Sequence, residues 1–193
     1  MSTIDWAGHL AEGLTYPDFL ARYGSAEHHR RWQANHSAIS LTADQKNRLA
    51  QFTRHMGVLC LSGTWCGDCA SQCPIFQHIV EAAPAGLIDL RFIDRDAAPP
   101  DLAAAIRING GQRVPALIFI SEDGFEVARY GEKTLAKYRD EAARLGGAAC
   151  SIGLVSEAEN TLRQAVIAEW VDQFERAQLI LRLSARLRQK YGD

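Results

Sequence analysis

Two cysteines three positions apart carry the clearest chemical signal in the chain. Cys66 and Cys69 lie in the segment TWCGDC at 64–69, after an apolar run over 56–61 and before a helical pattern. At such a strand-to-helix junction, the first thiol meets unpaired backbone N–H groups and the positive end of the helix dipole, which favour the thiolate and lower the thiol pKa. The second thiol lies one turn inside the helix, where it can attack a disulfide formed by the first. The spacing therefore predicts thiol–disulfide exchange.

The chain holds five cysteines, four of them within the fourteen residues from 60 to 73. They are Cys60, Cys66, Cys69, Cys73 and Cys150. An odd, clustered set is a poor framework for the disulfides of a secreted protein. In a reducing compartment, such a cluster is more typical of redox or metal chemistry.

The composition is that of an ordinary soluble globular protein, with 193 residues, of which 47% are hydrophobic and 23% charged. The length suits one domain with a buried core and an appendage. A net charge of −2 gives no electrostatic reason to expect nucleic acid or an anionic membrane as a partner. No apolar run approaches the ~20 residues of a membrane span, and the first residues lack the pattern of a secretory signal. We therefore expect a cytoplasmic protein.

Helical and strand patterns alternate between residues 41 and 147. The patterns predict helices over 42–55, 66–83, 101–108 and 133–145, and strands over 57–61, 88–94, 116–120 and 126–130. Thr42 and Gln45 form a capping box at the start of the first helix. Glu122-Asp123-Gly124 is a hairpin turn, and Gly146-Gly147 ends the last helix. The order β-α-β-α-β-β-α predicts a parallel pair of strands extended by an antiparallel hairpin.

Helical segments flank this central domain of residues 41–147. Residues 1–40 form an N-terminal helical extension with helices over 16–23 and 26–35, and the cluster HHRRW at 28–32 is interpreted as helix surface. Residues 156–191 form one long helix that opens with a capping box of Ser156 and Glu159. Its apolar stripe is expected to pack on the domain, with a homodimer contact as the alternative.

The motif WCGDC after a strand, together with Val114-Pro115 before an apolar strand and its hairpin, resembles the thioredoxin superfamily. The string LCLSGTWCGDC at 59–69 looks like a bacterial thioredoxin-like family with helical extensions. The resemblance covers about residues 50–147. It implies an α/β fold, a thioredoxin-like three-layer α/β/α sandwich, with helical extensions at both ends.

The resemblance also implies roles for individual residues. Cys66 would be the exposed nucleophile, Cys69 the buried resolving thiol, and Pro115 a cis-proline that faces the pair. Gly131 lies where the family keeps a glycine near the substrate groove. The expected substrate-binding residues surround the pair: Trp65, Gly67, Asp68, Arg113, Val114 and Pro115. Arg113 either stabilises the thiolate or a substrate carboxylate, or is a solvated loop residue.

The chain departs from the family pattern at two positions. Asp68 stands where better-known members have proline between the cysteines. Our hypothesis is that its carboxylate raises the pKa of Cys66 and makes the dithiol more reducing, and the alternative is a solvated acid of the first helical turn. Cys60 stands where the family commonly buries an aspartate as proton acceptor, and Asp94 or Asp96 could substitute for it.

Cys73 is separated from Cys69 by one helical turn, so the two side chains share a face. We interpret Cys73 chiefly as a core thiol, with an auxiliary redox partner or a metal ligand beside Cys66 and Cys69 as alternatives.

The expected function is a cytoplasmic thiol–disulfide oxidoreductase that works in the reducing direction. Its substrate would be a disulfide-containing protein or small molecule, and a reductase or thiol pool would supply electrons. We expect no bound cofactor and no metal. The alternatives are a non-catalytic adaptor with a thioredoxin fold, and a metal or iron–sulfur carrier that uses Cys66, Cys69 and Cys73.

Overall fold

A mixed four-stranded sheet lies at the centre of the computed structural model, which describes residues 4–145 and 155–192, without the side chains of 155–158. Its strands are β1 (Met56–Ser62), β2 (Ile88–Asp94), β3 (Ala116–Ser121) and β4 (Glu126–Gly131), in the spatial order β2-β1-β3-β4. Strand β1 pairs parallel with β2 and antiparallel with β3, and β3 pairs antiparallel with β4. The predicted parallel pair and hairpin are therefore confirmed.

The helices surround this sheet. They are α1 (Trp6–Glu12), α2 (Tyr16–Tyr23), α3 (Ala26–Ser37), α4 (Ala43–Leu49), α5 (Gly67–Ala82), α6 (Pro100–Ala105), α7 (Leu135–Leu145), α8 (Val155–Leu183) and α9 (Ala185–Tyr191), with a 3₁₀ turn over Arg95–Ala97. None of these described helices combines the length and the apolar character that crossing a bilayer requires.

Both faces of the sheet are covered, which explains why β3 is buried at every position. Phe119 packs edge-on against Phe174 of α8, with ring centroids 5.1 Å apart. The next residue of β3, Ile120, pairs with Gly57, where an added Cβ would lie 2.5 Å from Leu10 of α1. Because neighbouring strand residues point to opposite faces, α8 and α1 cover opposite sides. The α/β, thioredoxin-like three-layer architecture is confirmed.

Two helices of the N-terminal half differ from the sequence prediction. The capping box of Thr42 and Gln45 is present, but α4 ends at Leu49 rather than near residue 55. The backbone of Arg54 is instead bound by Gln178 of α8, whose amide accepts at 3.2 Å and donates at 2.8 Å. Helix α1 was not predicted, and the side chain of Asp5 caps its first turn.

The predicted single C-terminal helix is two helices. Ser184 leaves the helical path and caps α9, accepting a hydrogen bond from the backbone N–H of Leu187 at 3.3 Å. The predicted apolar stripe of α8 is confirmed as core, since Trp170, Phe174 and Ala177 are fully buried. The predictions that involve Gly146, Gly147, Cys150 and the side chain of Ser156 lie outside the described residues.

Candidate active site

Cys66 and Cys69 lie at the start of α5, just beyond the C-terminal end of the central strand β1. Cys66 occupies the N-cap position with an extended backbone and is half-buried, whereas Cys69 is fully buried one turn further on. The two side chains interact with each other. The structure therefore places one accessible thiol in front of one inaccessible thiol, as the sequence predicts.

The loop before β3 forms the opposite wall of this site. The Val114–Pro115 peptide bond is cis, and the Cys66 thiol lies 3.7 Å from the Val114 carbonyl oxygen, to which it can donate. Gly131, at the end of β4, supports this wall from behind. Its φ is +149°, and an added Cβ would lie 2.4 Å from the Pro115 carbonyl oxygen, so only glycine fits.

The pKa of Cys66 is raised well above its ordinary value, which corrects the expectation of a stabilised thiolate. The largest cause is the interaction with the Cys69 thiol, followed by burial of the sulfur. The backbone N–H groups of Asp68 and Cys69 at the helix start act in the opposite direction and lower the pKa. They do not outweigh the other causes in this free-thiol state.

Asp68 forms ion pairs with two lysines while remaining partly exposed. Its carboxylate accepts from the Lys137 ammonium and lies 3.6 Å from the Lys133 ammonium. Its charge is not among the main causes of the raised Cys66 pKa. That the Asp68 carboxylate adds to this pKa stays a prediction, whereas the alternative of an acid without a partner is wrong, because two ammonium groups pair with the carboxylate.

Arg113 and Trp65 adjoin Val114 and Cys66 in the chain, and both side chains are partly exposed. The Arg113 guanidinium donates to the Glu132 carboxylate at 3.4 Å, and the Tyr138 hydroxyl donates to the same carboxylate at 3.1 Å. Trp65 is 41% exposed, and the guanidinium of Arg95 lies 4.3 Å from its ring centroid. Arg113 is therefore paired with a carboxylate, and its action on the thiolate or on a substrate carboxylate stays a prediction.

Comparison with known proteins agrees with this fold. A family model described as thioredoxin matches residues 13–138. The chain belongs to the thioredoxin family.

Two solved structures share the fold of this thioredoxin-family chain. One is a protein of unknown function from Pseudomonas aeruginosa, with a TM-score of 0.68 and 17% sequence identity, over 87% of this chain and 98% of that chain. The other is an HIV epitope-scaffold protein, with a TM-score of 0.64 and 19% identity, over 86% of this chain and 98% of that chain. No curated protein matches the chain.

The N-terminal extension of this thioredoxin-family chain forms part of the site, which the sequence did not indicate. The Thr64 carbonyl accepts from the Trp32 indole at 2.9 Å and from the Arg31 guanidinium at 3.0 Å. Arg31 also donates to the Trp65 carbonyl at 2.8 Å, and the Thr64 hydroxyl lies 3.1 Å from His28 Nδ1. The interpretation of this cluster as helix surface holds for the exposed His29 and Arg30. It is wrong for His28, Arg31 and Trp32, because their side chains contact the turn that precedes Cys66.

Neither Asp94 nor Asp96, the possible substitutes for the buried aspartate, is among the partners of Cys69. Its thiol interacts with Cys66, Cys73 and Ser62, and burial is the largest cause of its raised pKa. The Asp94 carboxylate instead caps the 3₁₀ turn, accepting from the Asp96 backbone N–H at 2.9 Å. Within residues 4–145 and 155–192, no group of three or more His, Cys, Asp or Glu side chains is arranged to hold a metal ion.

Proposed function

We propose that this chain is a cytoplasmic thiol–disulfide oxidoreductase that reduces protein or small-molecule disulfides. The observation that carries the proposal is the placement of Cys66, half-buried at the start of α5, with its sulfur 3.7 Å from the carbonyl of Val114 and the buried Cys69 directly behind it.

The proposed reaction begins when Cys66 loses its proton and its thiolate attacks one sulfur of the substrate disulfide. The S–S bond of the substrate breaks, a mixed disulfide forms at Cys66, and the first substrate sulfur leaves and takes up a proton. Cys69 then loses its proton and attacks the Cys66 sulfur. The second substrate sulfur leaves as a thiol. The substrate has then gained two electrons, and the chain is left oxidised, with a Cys66–Cys69 disulfide. A reductase or a thiol pool must return two electrons to close the cycle.

The cis Val114–Pro115 loop provides the surface on which an extended substrate would lie. Proline has no backbone N–H of its own to satisfy, and the Val114 carbonyl can accept from a substrate backbone once the Cys66 thiol no longer donates to it. Trp65, the residue before Cys66, supplies an exposed ring. These features support a peptide or another extended disulfide as substrate.

The test is capture of the mixed disulfide. Cys69→Ser should accumulate a covalent adduct with an oxidised protein substrate such as insulin, reversible by dithiothreitol, whereas the matched control Cys66→Ser should form none. Wild-type protein should reduce insulin disulfides when dithiothreitol regenerates it. If wild type reduces no disulfide and Cys69→Ser traps no adduct, the oxidoreductase proposal fails and a non-catalytic adaptor becomes the better interpretation.

A further inference from the structure

Two further thiols lie directly behind the catalytic pair. Cys73 is one helical turn beyond Cys69 in α5 and is fully buried. Cys60 lies in the middle of β1 and is also fully buried. Neither thiol takes part in the reaction proposed above.

These thiols form a continuous line with the pair. Cys66 interacts with Cys69, Cys69 with Cys73, and Cys73 with Cys60. The line runs from the half-buried Cys66 into the core, since its other three members, Cys69, Cys73 and Cys60, are fully buried. Ser62 lies beside it, with its hydroxyl 3.4 Å from the Cys73 sulfur.

The positions on β1 and α5 explain why the line exists. Cys60 and Ser62 are two residues apart on a strand, so both side chains point to the same face of the sheet. That face is covered by α5, where Cys69 and Cys73 are four residues apart and share one helix surface. The alternation of the strand and the turn of the helix therefore bring the sulfurs together.

We propose that Cys60 and Cys73 form a second dithiol that exchanges electrons with Cys66 and Cys69, so that one reduced chain can reduce two substrate disulfides. This inference rests on the oxidoreductase function proposed above. It adds an internal store of two electrons behind the pair that meets the substrate.

The exchange is balanced within the chain. After one turnover, the oxidant is the Cys66–Cys69 disulfide. The Cys73 thiolate attacks the Cys69 sulfur, a Cys69–Cys73 bond forms, and Cys66 leaves as a thiolate that takes up a proton. Cys60 then attacks the Cys73 sulfur and releases Cys69, which gives a Cys60–Cys73 disulfide and a regenerated Cys66–Cys69 dithiol. Two electrons and two protons move from the inner pair to the outer pair.

Helix geometry makes the intermediate step the slow one. Side chains four residues apart on a helix have Cβ atoms about 5–6 Å apart, whereas a disulfide requires about 3.5–4.5 Å. The turn between Cys69 and Cys73 must loosen for the bond to form. Pro74 follows Cys73 and lacks the N–H that would bind the carbonyl of Ala70, so this turn already has one hydrogen bond fewer.

The test is the number of thiols that one reduced chain releases to an excess of Ellman's reagent. A Cys150→Ser background removes the remaining cysteine. We expect a fast release of about two equivalents of thionitrobenzoate from the outer pair, followed by a slow release of about two more as the inner pair exchanges. Peptide mapping after acid quenching should then find the Cys60–Cys73 disulfide.

Two variants separate internal exchange from slow opening of the core. Cys60→Ala should keep the fast phase and lose the Cys60–Cys73 product. In Cys66→Ser, the remaining buried thiols should react with Ellman's reagent at a rate at least tenfold below that of the slow phase of the parent. An equal rate in Cys66→Ser, or a parent that stops at two equivalents, would overturn the inner dithiol and leave the oxidoreductase proposal intact. Absence of the fast phase would instead contradict that underlying proposal.

Discussion

Arg31 donates a hydrogen bond of 2.8 Å to the backbone carbonyl of Trp65, the residue that directly precedes Cys66. The same guanidinium nitrogen also donates to the Thr64 carbonyl at 3.0 Å. Helix α3 of the N-terminal extension thereby fixes two successive peptide groups of the turn from β1 into α5. The position of the Cys66 sulfur depends on this turn, so the extension takes part in forming the site.

The Arg31→Ala variant should therefore lose both stability and reactivity. Hydrogen bonds from a charged donor contribute roughly 1.5–3 kcal/mol, and because this group is partly exposed we expect the free energy of unfolding to fall by about 1–2 kcal/mol. The rate of Cys66 attack should fall about two- to fivefold as the turn relaxes. Denaturant unfolding and single-turnover insulin reduction measure these effects. Arg30→Ala, at the exposed neighbouring position, is the matched control, and equal behaviour of the two variants would contradict the prediction.

The reactivity of Cys66 should rise steadily with pH. Its pKa is raised above the ordinary value, chiefly by the Cys69 thiol and then by burial. The thiolate is the reactive species, and below the pKa its fraction grows about tenfold per pH unit. We expect the alkylation rate of Cys66, followed by mass spectrometry of its peptide, to increase without a plateau from about pH 7 to 9.

The Cys69→Ala variant provides the control for this cause. Loss of the neighbouring thiol removes the interaction that raises the Cys66 pKa most, while the backbone N–H at position 69 is retained. Alkylation of Cys66 at pH 7 should therefore be faster in the variant than in wild type. A wild-type profile that is flat between pH 7 and 9 would show that Cys66 is already a thiolate and would contradict the prediction.

Substitutions at the ion pair of Asp68 and Lys137 should shift Cys66 reactivity in opposite directions. Asp68→Asn leaves the ammonium groups of Lys133 and Lys137 without this carboxylate, which favours the nearby thiolate, so the rate at pH 7 should rise about two- to fivefold. Lys137→Gln leaves the Asp68 carboxylate less neutralised, so the rate should fall by a similar factor. The measurement is alkylation of Cys66 at constant ionic strength. Shifts of the same sign in both variants would contradict this electrostatic explanation.

Local patterns in the sequence predicted those parts of the fold and site that depend on short-range spacing. The period of the strands was sufficient for the parallel pair and the hairpin, and the helical periods and the capping box of Thr42 and Gln45 were sufficient for most helix positions. The cysteine motif and Val114-Pro115 were sufficient to place Cys66 beside the cis-proline loop, because the superfamily resemblance relates these distant segments. Ser184 interrupts a pattern that remains helical on both sides, so the sequence periodicity did not indicate the break.

The contacts between distant elements could not be predicted in the same way. Trp32 is fully buried and Arg31 binds the turn before Cys66, although the polar residues around them are typical of a solvated helix. The ion pair of Asp68 requires Lys137 from α7, far along the chain. A helical period indicates which residues share a face, but not which element covers that face.

Gly131 should tolerate no side chain, because it supports the cis-proline loop from behind. In Gly131→Ala the new Cβ would approach the Pro115 carbonyl oxygen to 2.4 Å and the Ala116 Cα to 3.0 Å, at a φ of +149°. Overpacking of this kind costs about 1–3 kcal/mol, and the backbone conformation adds to the cost. We expect the free energy of unfolding to fall by at least about 2 kcal/mol, measured by denaturant titration.

The control is Gly67→Ala, where nothing lies within 4 Å of the new Cβ, so its stability should change by less than about 0.5 kcal/mol. Equal stability of the two variants would mean that the Pro115 loop moves freely away from β4, which would remove the fixed wall that the proposed substrate groove requires.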